Sequence, residues 1–126
     1  MKGLRDALLV FAGGGLGSLL RWLVALGASA ALPVQILLWA TLAVNLAGSF
    51  AIGVAGELVG AGRLPRETRL ALVTGLLGGF TTLSALSLET AGYLRGGHPI
   101  RAAIYPVFTV AAGALLCLAG MRLVRR

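Results

Sequence analysis

Apolar residues gather into four long runs, at about 7–26, 33–59, 70–94 and 99–121, parted by short stretches that carry most of the charge. Each run meets or exceeds the ~20 residues that a helix needs to cross a hydrocarbon core. The pattern predicts an all-α integral membrane protein with four transmembrane helices in a single domain, 1–126. Pro33 and Pro99 stand at the heads of the second and fourth runs, where the first turn of a helix tolerates a missing N–H. The connection at 60–69, GAGRLPRETR, uses Pro65 to restart a helix, and the one at 95–98 is tighter. The second run is long enough to tilt or to project beyond the membrane.

The third run differs from the others. Between Thr74 and Glu89 it reads TGLLGGFTTLSALSLE, with Gly78 and Gly79 adjacent and Thr81 and Thr82 close behind. Neighbouring glycines cost roughly 1 kcal/mol each relative to alanine inside a helix. The expectation is a third helix broken mid-membrane. Lipid offers no partner to the N–H and C=O groups that such a break releases, so they must face protein, a cavity or an ion. The first run has a rival reading as a secretory signal, with Lys2 and Arg5, an apolar core and Ala28-Ser29-Ala30 as a cleavage site. Arg21-Trp22 separates that core from that site, and the rest of the chain is just as apolar, so the run is read as a span.

Composition supports the membrane reading. Hydrophobic residues make up 58% of the chain, and only 15 residues are charged (11 basic, 4 acidic), too few to coat a soluble globule. A net charge of +7 suits a nucleic-acid partner, but the basic residues sit at the ends of apolar runs, as interfacial anchors and topology signals do. Eight of them (Lys2, Arg5, Arg63, Arg66, Arg69, Arg122, Arg125 and Arg126) fall on the side of the termini, and three (Arg21, Arg95 and Arg101) towards the other side. The positive-inside rule therefore places both termini in the cytoplasm. Cys117 is alone in an apolar run, which excludes a disulfide framework within the chain and suits a packing role.

Polar groups inside the runs are few and patterned. Gly13, Gly17 and Arg21 recur every four residues on one helix face, and small residues at that spacing admit a neighbouring helix. Arg21 either snorkels to the interface or joins an ion pair. Thr41 and Asn45 lie one turn apart with Gly48 and Ser49 beyond, so Asn45 is either interhelical glue or a ligand contact. Tyr105, Thr109 and Gly113 form a stripe in the fourth run, and Ser84 and Ser87 add hydroxyls to the third. These polar groups donate hydrogen bonds without carrying charge, a lining suited to a small anion that has to bind and leave quickly. A single histidine (His98, in a two-glycine turn), a single cysteine and isolated carboxylates at Glu57 and Glu89 give neither a nucleophilic triad nor a transition-metal site, so no enzyme is expected.

Three motifs resemble the Fluc (CrcB) family of fluoride channels, in order and over nearly the whole chain. They are Gly14-Gly15-x-Gly17-x-x-x-Arg21, then Thr41-Leu-Ala-Val-Asn45-Leu-Ala-Gly48-Ser49-Phe50, then Gly78-Gly79-Phe80-Thr81-Thr82-x-Ser84-x-x-Ser87-x-Glu89. The resemblance implies a multi-pass protein of the cell (inner) membrane that exports fluoride by passive diffusion. It implies an antiparallel dimer with two pores and a structural sodium ion that is not transported. Carried over by motif, the carbonyls of Gly78 and Thr81 would hold the sodium. Asn45, Ser84, Tyr105 and Thr109 would contact the anion, and Arg21, Thr41 and Glu89 would make structural contacts.

The chain departs from that pattern in two ways. Leu83 and Leu86 stand where the family usually carries phenylalanines, whose electropositive ring edges are thought to meet fluoride. Rings at Phe80, Phe50 or Phe108 are the candidates to replace them. Gly113 stands where a hydroxyl residue is commoner. The basic-residue bias of eight against three also discourages one chain from inserting both ways. Pairing either with itself or with an oppositely oriented paralogue is open. The rival classes are a proton-coupled multidrug transporter, which would want a carboxylate inside the first span where only Asp6 lies at the edge, and a non-conducting partner subunit.

Overall fold

The structure is a computed structural model and describes residues 2–31 and 37–125. All regular elements among these residues are helical: α1 (Lys2–Ala31), α2 (Leu37–Gly60), α3 (Arg66–Arg69), a π-helical segment (Leu70–Leu77), α4 (Gly78–Phe80), α5 (Leu83–Arg95) and α6 (Pro99–Arg125). Four stretches are long and apolar enough to span a membrane, Lys2–Ser29, Leu38–Gly60, Arg66–Arg95 and Pro99–Arg125. The expected helix start at Pro33 lies outside the described residues. The first helix begins five residues before the expected 7, because the charged lead also winds into it.

Surface chemistry fits lipid rather than water. Phe11 is 79% exposed and Leu88 75%, and large apolar side chains face outward on every span. The buried apolar set is short, with Ala40, Leu42, Val44, Leu77, Leu86 and Ala102. In lipid, helix association rests on close van der Waals fit more than on burial from water. The packing shows how that fit is reached. Gly13 and Gly17 of α1 lie directly on the backbone of the third span, where a Cβ would collide with Ala71 O and Leu76 O respectively. Gly79 answers from the other side against Gly14 O. A second seam joins α2 to α6, with Gly53 on the Cys117 carbonyl and Gly120 on that of Phe50. Cys117 thus serves packing through its backbone.

Partner residues rise in number together along each seam. Arg5, Gly13 and Gly17 of α1 meet Glu67, Ala71 and Leu76, and Leu38, Ser49 and Glu57 of α2 meet Tyr105, Gly113 and Arg125. Each pair is therefore parallel, and the two pairs run in opposite directions, as alternating spans require. The connections after α2 and α5 end alike. Gly62 and Gly97 take positive φ (67° and 74°), while Arg63 N–H bonds Leu58 O and His98 N–H bonds Tyr93 O, both at 2.9 Å. This is the Schellman closure of a helix C-terminus, which only glycine adopts without strain.

The third span is the irregular one. The hydrogen bonds of Leu70–Leu77 widen to the i→i+5 pattern, and the α-helical turn Gly78–Phe80 follows. Thr81 (φ −77°, ψ 154°) and Thr82 (φ −150°, ψ 116°) are extended, and α5 starts at Leu83 with the Thr82 hydroxyl accepting from Ala85 N–H at 3.2 Å. Gly78 and Gly79, where the sequence suggests the helix should fail, remain helical. Gly79 is needed for close approach to α1, which leaves the backbone to turn two residues later.

Candidate functional site

The extended residues lie against α2, and two positions on α2 receive them. Gly48 opens space for the Thr81 side chain, whose methyl sits where a Cβ at 48 would be. One turn earlier, Asn45 Oδ1 accepts the Thr82 N–H at 2.8 Å and its Nδ2 donates to Thr82 O at 3.0 Å. The carboxamide replaces both helical partners that an extended residue loses, and Thr82 is buried. The Thr82 hydroxyl caps α5 and lies 3.1 Å from Ser84 Oγ. Asn45 retains one N–H beyond these bonds.

A cleft of about 440 Å³ opens beside this junction, between α2, the third span and α6. Asn45, Ser49, Thr81, Thr82 and Thr109 give it neutral polar groups, and Leu77, Leu83 and Leu86 give it apolar walls. Thr109 is only 4% exposed, and its hydroxyl hydrogen is used on Tyr105 O at 2.8 Å, so the oxygen lone pairs are what it can offer further. Gly113 lines the same cleft, and a Cβ there would lie 3.0 Å from Ser49 Oγ. A hydroxyl is thus present at that level after all, supplied by α2 instead of α6. The sequence placed Ser49 next to Asn45 but gave no sign that it would face Gly113.

The cleft gathers Asn45 and Thr109 of the four expected anion-contacting residues, and not Ser84 or Tyr105. Ser84 is exposed on α5. The Tyr105 hydroxyl donates to Glu89 Oε2 at 2.7 Å and its ring meets Tyr93 edge-on at 6.1 Å. The other oxygen of Glu89 takes a hydrogen bond from Thr41 Oγ1. A half-buried carboxylate is thereby held by two hydroxyls on two other helices, and bonds to a charged acceptor are the stronger kind. Arg21 shares a second cleft of about 400 Å³ with Thr41 and Glu89, but forms no ion pair among the described residues. Gly13 and Gly17 pack while Arg21 lines a cleft, so one helix face divides between the two roles.

The leucines at the usual aromatic positions differ from each other. Leu83 projects outward at 74% exposure, and Leu86 is buried at 4%. Among the described residues, no aromatic side chain lines the main cleft. Phe80 packs on α2 at Gly48, Phe108 lines a separate groove with Trp39 and Tyr105, and Phe50 is exposed on α2. Within one chain, none of the three rings substitutes for Leu83 or Leu86.

Backbone carbonyls are the available cation ligands, since no cluster of His, Cys, Asp or Glu suited to a metal occurs among the described residues. Two carbonyls stand out. In a continuing helix Gly78 O would accept from Thr82 N–H, and Thr81 O from Ala85 N–H. Both donors are engaged elsewhere, with Asn45 Oδ1 and with Thr82 Oγ1.

Charged contacts collect at the end that holds both termini. Arg66 grips Asp6 with two bonds (3.0 and 2.6 Å), Arg5 lies 3.7 Å from Glu67, and Arg125 lies 2.9 Å from Glu57. Each ties one parallel helix pair together at its end. The sequence showed these charges as topology signals and gave no indication of their pairing.

Comparison with known proteins follows this geometry. The family described as "CrcB-like protein, Camphor Resistance (CrcB)" matches residues 8–121. The chain is 45% identical over 127 residues to a fluoride-specific ion channel FluC of Thermus thermophilus, covering 96% of this chain and 94% of the relative. It is 43% identical to the protein of the same name from Rhizobium leguminosarum (95% and 96% covered) and 44% identical to that of Chlorobaculum tepidum (91% and 90% covered). With four apolar spans and a family match reaching from α1 to the last turns of α6, this chain is a multi-pass membrane protein that belongs to the CrcB family.

Proposed function

We propose that this chain is a subunit of a fluoride-selective channel that lets cytoplasmic fluoride leave by passive diffusion. The observation that carries the reading is the 45% identity to a fluoride-specific channel along almost the full length of both chains. The main cleft supports it, because its polar groups are neutral amides and hydroxyls. Such groups replace part of an anion's water without holding it by full charge, as rapid passage requires. Fluoride is the anion of a weak acid, so in acid surroundings it enters cells as neutral HF and accumulates as the ion in the less acid cytoplasm; a channel drains it down the membrane potential.

The finer architecture belongs to the same proposal. The extended Thr81-Thr82 step is a mid-membrane break in the third helix, and two antiparallel subunits face each other across it. The carbonyls of Gly78 and Thr81 would hold a structural sodium ion. The fit rests on those two carbonyls having lost their helical donors. Bound there, sodium neutralises carbonyl dipoles that lipid would leave unpaired. Leu83 and Leu86 occupy the aromatic positions, and the absence of any ring from the cleft favours a second reading in which an oppositely oriented paralogue supplies the aromatics.

Fluoride efflux from liposomes containing this chain alone, with chloride as control, tests the proposal. Rapid efflux of fluoride only is expected if a self-paired channel conducts without phenylalanines. No efflux from a folded dimer, restored by co-reconstitution with a paralogue, establishes the second reading. Equal passage of chloride would overturn fluoride selectivity outright.

A further inference from the structure

The carbonyls at Gly78 and Thr81 are free for a reason that lies in two side chains. A helix passing through 78–85 would bury both oxygens in bonds from Thr82 N–H and Ala85 N–H. Asn45 takes the first donor through Oδ1 at 2.8 Å, and Thr82 takes the second through its hydroxyl at 3.2 Å. Asn45 also donates to Thr82 O at 3.0 Å, so that carbonyl already has a partner. Gly48 completes the arrangement by making room for Thr81 on the same face of α2. Each of these two diverted donors leaves one acceptor, Gly78 O or Thr81 O, without its helical partner.

We infer that Asn45 and Thr82 are positioning residues for the cation site, which act by holding donors away from Gly78 O and Thr81 O and touch no cation themselves. This rests on the sodium reading above. It gives Asn45 a task distinct from contact with the anion, since its oxygen and one of its N–H groups are committed to Thr82. Partners of this kind, one bond removed from the ligands, typically change metal affinity by roughly 10–100-fold when lost.

The test is the sodium dependence of thermal unfolding of the purified full chain in detergent, with potassium as the matching salt. Binding to the folded state raises the midpoint as free sodium rises. The wild type is expected to show a sodium-specific rise. Asn45→Leu should need roughly 10–100-fold more sodium for the same rise, whereas Asn45→Asp keeps an acceptor for the Thr82 N–H and should keep the response. Thr82→Val removes the hydroxyl without changing shape and should weaken the response, which covers the case where Asn45→Leu does not fold. A wild-type sodium response in folded Asn45→Leu or Thr82→Val would overturn the inference. A wild type with no sodium response would remove the cation site itself, and the inference with it.

Discussion

Glu89 is a half-buried carboxylate within an apolar span. Its carboxylate is reached by hydroxyls from α2 and α6 and shares a cleft with Arg21. Removing one hydroxyl weakens a bond to a charged group, worth about 1.5–3 kcal/mol. Tyr105→Phe is therefore expected to lower the unfolding free energy by about that amount, while Glu89→Gln, which keeps the shape and an acceptor, costs less; thermal or denaturant unfolding in detergent separates them. The two leucines at the aromatic positions make a second contrast. Leu83→Phe extends an exposed side chain and should leave stability unchanged, whereas Leu86→Phe must fit a site only 4% exposed. Overpacking of that kind costs typically about 1–3 kcal/mol. Unfolding midpoints of the two variants, measured side by side, should differ in that direction.

At the scale of elements, the glycine seams are the decisive contacts. Gly17→Val would drive methyl groups into the Leu76 carbonyl, and neither backbone can retreat without separating α1 from the third span. A loss above about 3 kcal/mol is expected, the upper end of overpacking effects. Gly15, two residues away on the same helix, has nothing within 4 Å of an added Cβ. Gly15→Ala should be neutral or gain about 0.5–1 kcal/mol from helix propensity, and equilibrium unfolding of the pair checks both. The seams also explain what was legible in the sequence. Long apolar runs and four-residue glycine spacing identify spans and packing faces because helix geometry fixes both. Gly78-Gly79 reads as a weak point by the same propensity scale, yet those residues stay helical because Gly79 meets Gly14. The extended step falls at Thr81-Thr82, where the Thr82 N–H is diverted to Asn45 on a helix 37 residues away, and no local pattern records that. The i→i+5 bonding at Leu70–Leu77 leaves no mark in its residue types. Asn45 and Thr109 stood out as polar residues within apolar runs; Tyr105 did too, but only the fold shows that its hydroxyl turns to Glu89 and away from the cleft.

For the whole molecule, the charge arrangement is the feature that bears on orientation. Arg5, Arg66 and Arg125 are in ion pairs that hold helix ends together, while Lys2, Arg63, Arg69 and Arg122 form none among the described residues. The second group can be changed to probe topology without loosening the fold. Reporter fusions at the C-terminus should find the cytoplasmic orientation dominant for the wild type. Replacing Lys2, Arg63, Arg69 and Arg122 by glutamine should raise the inverted fraction, because basic residues near span ends set orientation. Equal fractions in the wild type would show that the bias does not control insertion, and would remove the argument from charge for a paralogous partner.

The parallel pairing of spans has a consequence for how the chain is made. α1 and α2 leave the ribosome first, yet each keeps its glycine face for a helix that is synthesised later. Once residue 60 has emerged, the membrane holds two hairpin arms with their matching surfaces unfilled: α1 awaits the third span, α2 awaits α6. The early half is therefore expected to await the second half before its glycine faces are filled. A fragment ending at Gly60 should insert and then be degraded, and supplying residues 61–126 as a separate chain should rescue it. Pulse-chase in the presence and absence of that second fragment would show whether the two halves complete each other only after both are in the bilayer.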